Sequence, residues 1–113
     1  MAVLTLKRTF GPLALTNTLT TNVYNNTSAL LYDILTNIHV VNKTSSAHNF
    51  TLYIGATGTN AAGTEWFFQQ NVPADTALDF PCKVKLLSTD FLVGGADANT
   101  ALVITGTGEQ YVV

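Results

Sequence analysis

Short runs of β-branched, leucine and aromatic residues are cut repeatedly by glycine, at Gly55, Gly58, Gly63, Gly94-Gly95, Gly106 and Gly108. Runs this short, bounded by turn-forming residues, are the pattern of strands joined by turns. Thr, Val, Ile, Tyr and Phe, frequent within the runs, fit the pleated and half-buried surface of a sheet. The expected fold is all-β, an antiparallel β-sandwich of jelly-roll type in a single domain.

Alternation is clearest where Phe50, Leu52 and Ile54 share one face and Asn49, Thr51 and Tyr53 the other. That run ends at Gly55, and 55–63 reads as a loop of small and polar residues. Glu65-Trp66-Phe67-Phe68-Gln69-Gln70 follows, so 48–54 and 64–70 form a hairpin with an extended loop. Phe91–Val93, Ala101–Thr105 and Gln110–Val113 predict three more strands, with Gly94-Gly95 and Gly106-Thr107-Gly108 as turns or bulges. Leu78–Phe80 and Val84–Leu87 are split by Pro81, which belongs at a sheet edge or bend. Ala29–Val41 fits a helix capped by Ser28, but its second half is β-branched and it alternates as well. It is predicted as a long strand with Leu30, Tyr32, Ile34, Thr36, Ile38 and Val40 on one face, bent near Asp33. Thr16–Ser28 reads as a polar loop or edge strand.

A chain of 113 residues suits one domain with one core. Residues 1–28 are expected to form an N-terminal arm and edge strand of that domain, and 29–113 its sandwich core. Charge is scarce: 11% of residues are Asp, Glu, Lys or Arg, against about 25% in typical soluble domains. The net charge is −2, and the basic residues concentrate only at Lys7-Arg8 and Lys83/Lys85. That is no footprint for nucleic acid. No apolar run approaches the roughly 20 residues of a membrane helix, and the charges of the N-terminus follow its apolar stretch, the reverse of a signal peptide. Cys82, the one cysteine, has no internal disulfide partner.

Chemistry is equally sparse. No Gly-x-Ser-x-Gly elbow is present, and Cys82 follows a proline in an apolar run, not the electropositive setting of a reactive thiol. His39 and His48, nine apart, and Asp75 and Asp79, four apart, match no zinc or calcium pattern. The glycine pairs lack the following helix and Lys-Ser/Thr of a phosphate loop. No catalytic residue, metal or cofactor is expected. Asn25, Asn26, Asn42 and Asn49 head Asn-x-Ser/Thr triplets, a weak case for glycosylation without a signal peptide. Trp66 with Tyr53 or Phe67 could stack on a sugar, although Trp66 and Phe68 are expected to fill the core, as large aromatics usually do.

Three runs of this sequence, Ile38–Thr44, Phe50–Gly55 and Ala61–Trp66, carry a resemblance that continues through Asp90–Ala96 and Ile104–Glu109. Together they are similar to small β-sandwich virion proteins of tailed bacteriophages, over roughly residues 29–113. The resemblance implies a bacteriophage virion structural protein, foremost a capsid decoration protein that binds and reinforces the head. A tail or neck component is the alternative within the virion. A carbohydrate-binding module using Tyr53 and Trp66 is the alternative from another class. Implied partners are the major capsid protein or other virion proteins and further copies of the chain, with no nucleic acid or membrane. The location implied is the virion, after synthesis in the host cytoplasm. No catalytic residues carry over. The unmatched N-terminus, where Ala2–Phe10 alternates well enough to join a partner's sheet edge, is expected to hold the assembly contacts: Val3, Leu4, Leu6, Lys7, Arg8 and Phe10.

Overall fold

A computed structural model describes residues 4–26, 28–55 and 63–112. Val3, Val113 and most of the 55–63 loop lie outside them. Eight strands run in chain order: β1 (Leu4–Ala14), β2 (Asn22–Asn25), β3 (Leu31–Asn42), β4 (His48–Gly55), β5 (Glu65–Val72), β6 (Thr76–Leu86), β7 (Phe91–Ala96) and β8 (Leu102–Val112). They form two four-stranded sheets ordered β1-β8-β3-β6 and β2-β7-β4-β5, with every pairing antiparallel. The chain crosses between sheets after nearly every strand. This is the eight-stranded jelly roll, a double Greek key, so the expected fold class is the observed one.

The core lies between the sheets. Leu35, Ile38, Val40, Leu102 and Ile104 enter from the first sheet, and Phe50, Leu52, Val72 and Leu92 from the second, all fully buried. Complete burial of each such side chain contributes roughly 1.5–3 kcal/mol. Of the Ala29–Val41 segment, Leu31 onward is strand, as alternation and β-branching indicate, with Ala29 and Leu30 in the turn before it. The irregularity falls at Thr36, not at Asp33: register shifts between Leu35 and Asn37 against both neighbours. An extra residue there reverses the side-chain parity. Asp33 and Leu35 point inward before the bulge and Ile38, Val40 and Asn42 after it, leaving Tyr32 and Ile34 on the outer face.

Four other expectations are corrected. The two weak candidates around Pro81 form one continuous strand, β6, at a sheet edge where a missing N–H costs no ladder bond. The segments 101–105 and 110–113 are likewise one strand, β8. Its glycines are close-packing positions and not turns: a Cβ on Gly106 would collide with the Phe10 ring. Gly94 and Gly95 lie inside β7, where the 16–18 loop crosses so closely that a Cβ on Gly95 would strike the Thr16 and Thr18 carbonyls. Finally, β5 carries register shifts on both sides of Leu52's partner Phe67. Trp66 and Phe67 therefore both pack on the core, while Phe68 is 66% exposed.

Candidate functional site

β1 holds most of the N-terminal assembly candidates. Leu4 pairs with Tyr111, Leu6 with Glu109, Lys7 with Gly108 and Arg8 with Thr107 along the outer flank of β8. Leu6 is 76% exposed and Arg8 is exposed, both on the outer face of the first sheet. Lys7 turns the other way, and Phe10 is buried in the core, stacked on Tyr24 at 6.0 Å. The structure thus brings Leu6 and Arg8 to one surface and withdraws Lys7 and Phe10 from it.

Lys7 turns toward the molecule's one fully buried carboxylate among the described residues. Asp33 Oδ2 accepts a 2.6 Å hydrogen bond from the Tyr24 hydroxyl, and Oδ1 accepts one of 3.2 Å from Gln110 Nε2. Lys7 Nζ stands 3.8 Å from Oδ1 and 5.9 Å from the Tyr24 ring centroid. A charge can be held inside only where it is paired and hydrogen-bonded, and here β1 and β8 of its own sheet and β2 of the other supply the partners. Burial, then the bond to Asp33 and its negative charge, push the Tyr24 hydroxyl well above the ordinary tyrosine range. With both oxygens bonded and the phenol kept neutral, the cluster holds the sheets together and presents no free base. Sequence reasoning missed it, because parity counted without the Thr36 bulge puts Asp33 outside.

The remaining candidates separate. Tyr53 is 7% exposed, and Trp66 packs edge-on against Phe67 at 4.9 Å and onto the core, so the two form no exposed platform. His39 and His48 lie in different sheets, with Nδ1 atoms 2.9 Å from Asp79 and 3.0 Å from Asp97 respectively. Asn37 and His39 hold the exposed Asp79 carboxyl below its ordinary value. Among the described residues no three His, Cys, Asp or Glu side chains converge as a metal site would require. Burial raises the Cys82 thiol above its usual value, the direction opposite to activation. Two triplet asparagines are engaged: Asn42 Nδ2 donates to the Ser46, Val72 and Pro73 carbonyls, and Asn25 Nδ2 to those of Ser88 and Asp90.

On the outer face of the first sheet, Tyr32 and Tyr111 lie opposite each other with rings stacked at 5.0 Å. Leu6, Leu30 and Leu87 lie exposed around them. This apolar end is the most distinctive open surface of the described residues, and only Leu6 of it was singled out by the sequence.

No protein-family model matches the sequence, and no curated protein matches it. Among solved structures, a chain of the infectious bursal disease virus Gx strain is similar over 99% of this chain, with 9% identity and a TM-score of 0.53. This chain spans 33% of that one, about a third of its length. At such identity the likeness establishes the fold alone. A tobacco streak virus coat protein dimer matches at 11% identity and a TM-score of 0.45, over 98% of this chain and 85% of that one. A pentameric capsid protein from metagenomic phage sequences matches at 15% identity and 0.31, over 99% and 60%. Neither overlap is close enough to carry weight.

Proposed function

We propose that this chain is a bacteriophage virion structural protein that decorates the capsid head and binds without catalysing. The observation that carries the reading is the complete jelly roll with strand orders β1-β8-β3-β6 and β2-β7-β4-β5. Jelly rolls recur in viral capsid domains and in lectins. The choice between those two uses rests on particular residues. A sugar platform built on Tyr53 and Trp66 needs both rings exposed, and Tyr53 is buried. The likeness of fold to a virus chain and the sequence resemblance to small phage virion proteins favour the virion. The major capsid protein is the partner in this reading, and scarcity of charge suits a surface covered by neighbours.

The test is to mix the purified protein with phage particles lacking it and to image them by cryo-electron microscopy. Ordered density on the head shell at symmetric positions is the expected result. Density confined to the tail or neck would relocate the protein within the virion, and no binding to any part of the particle would overturn the reading.

A further inference from the structure

Five large hydrophobic side chains are exposed among the described residues, and three of them, Leu6, Leu30 and Leu87, gather at the end of the first sheet where β3 begins and β6 ends. The register shows how they adjoin. Leu6 and Ile34 both lie opposite Glu109, and Ile34 also lies opposite Lys85, so one outward row reads Leu6, Glu109, Ile34, Lys85. The row beside it carries the stacked Tyr111 and Tyr32, with Leu87 just past the last paired residue of β6. Scattered exposed apolar residues are ordinary, whereas a contiguous apolar patch rimmed by polar groups marks an interaction surface.

The charges on this patch sit on fixed supports. Lys85 Nζ lies 4.5 Å from the centroid of the Tyr32 ring, and Glu109 Oε2 accepts a 2.8 Å hydrogen bond from the Tyr111 hydroxyl. Among the described residues neither is in an ion pair within its own chain. Side chains already held in place lose little freedom when a partner arrives.

Charge complementarity identifies the partner. Two face-to-face arrangements lay this apolar end on its own copy. With the two-fold axis across the strands, β6 lies antiparallel over β6, which brings the exposed Lys83 and Lys85 against the same two lysines of the second copy. With the axis along the strands, between β3 and β8, β6 lies over β1 and β3 over β8 of the second copy. Tyr32 then meets Tyr111 of the second copy, while Lys85 stands over Leu6 of the second copy and one strand from its Glu109, toward which the lean of Lys85 over the Tyr32 ring carries the ammonium, reciprocally on both sides of the axis. Sheets packed face to face keep their strands nearly aligned, and a two-fold contact uses one self-complementary patch twice. We propose that the outer face of β1-β8-β3-β6 is a homodimer interface about this second axis, closed by two Lys85–Glu109 ion pairs between copies. The dimer does not depend on the virion reading, and it is tested on the purified chain alone.

Sedimentation velocity of the full chain across the micromolar range is the experiment. The unaltered chain should dimerise. K85E and E109K alone should each raise the dimer Kd about tenfold or more, since the symmetry duplicates every like-charge contact. An equimolar mixture of the two variants should recover the dimer, because each acid then faces a base. L6D, at a position 76% exposed in the single chain, should abolish dimerisation while circular dichroism stays that of the folded sheet. This last variant keeps the test decisive should a charge variant fail to fold. A chain that is monomeric at every concentration overturns the proposal. So do charge variants that dimerise unchanged, or a mixture that recovers nothing.

Discussion

Tyr24 and Asp33 belong to opposite sheets, and the 2.6 Å hydrogen bond from the Tyr24 hydroxyl to Asp33 Oδ2 ties one sheet to the other. Asp33→Ala would strand the phenol, the Gln110 amide and the Lys7 ammonium together. Each polar group left without its acceptor costs about 1–3 kcal/mol, so losing both the phenol's and the amide's partner should cost more than losing one bond. Tyr24→Phe removes a single bond to a charged acceptor and should cost about 1.5–3 kcal/mol. Urea denaturation of the three proteins checks the order, and an Asp33→Ala variant as stable as the parent would show that the cluster holds nothing.

Burial of the Tyr24 hydroxyl, together with that bond, sets the alkaline limit. Tyr24 is raised in the folded state above its ordinary value of 10.0. The native chain therefore keeps the phenol proton where the unfolded chain loses it. The contribution to stability is fully present below pH 10 and declines as pH climbs toward the folded value. Denaturation midpoints measured from pH 8 upward should fall above about pH 10, and Tyr24→Phe should flatten that fall. Tyr111 is also raised, by its bond to Glu109, but it lies on the outer face of the sheet, nearer solvent, and contributes the lesser part. An equally steep decline in the Tyr24→Phe protein would contradict the assignment.

Within one hairpin, burial separates residues of the same type. Phe50 is fully buried against Phe67 and Phe80, whereas Phe68 is 66% exposed. Phe50→Ala should cost about 3–5 kcal/mol and Phe68→Ala no more than about 0.5 kcal/mol. Trp66→Ala, half-buried on Phe67, belongs between them at about 1.5–3 kcal/mol. Equal losses at Phe50 and Phe68 would mean that the bulges of β5 are misplaced.

The contrast between β4 and its neighbours shows what was legible in the sequence. Phe50 and Leu52 share one face, as their alternation predicts, because β4 pairs with β7 without a register shift, so alternation survives from sequence to structure. β3 and β5 were legible as strands but not as faces, since each bulge reverses parity and no residue type announces it. For that reason Tyr32 and Ile34 do not share the face of Ile38 and Val40, and Phe68 lies outside the core it is expected to fill. The apolar end was hidden likewise: Tyr32 and Tyr111 are 79 positions apart in sequence, and only pairing through β3 and β8 makes them neighbours. The Tyr24–Asp33 bond is hidden still deeper, because it crosses between sheets.

Gly106 offers a test of close packing. A Cβ there would enter the Phe10 ring, and overpacking a core position costs about 1–3 kcal/mol. Gly106→Ala should be destabilised by that amount. Phe10→Leu vacates the ring position and should lower the penalty of Gly106→Ala when the two are combined, a coupling that a double-mutant cycle isolates. Strict additivity would place the cause elsewhere.

The N-terminal strand calls for point variants as well as truncation. Deleting residues 1–9 removes the whole stretch from Leu4 to Arg8 that pairs with β8, and takes Lys7 from beside Asp33. With each lost hydrogen bond worth about 1 kcal/mol, the truncated chain should be less stable by at least about 2 kcal/mol. Its bared β8 edge should also recruit other chains. Loss of particle binding after such a deletion would therefore say little about which residues touch a partner. Leu6→Asp and Arg8→Glu change only outward side chains and, compared at concentrations where the parent is monomeric, should leave the unfolding free energy within about 0.5 kcal/mol of the parent. Assembly contacts of the strand are those lost in these two variants while the fold persists. A truncated protein with an unchanged urea midpoint and no self-association would show that β1 is an appendage and not a working edge of the sheet.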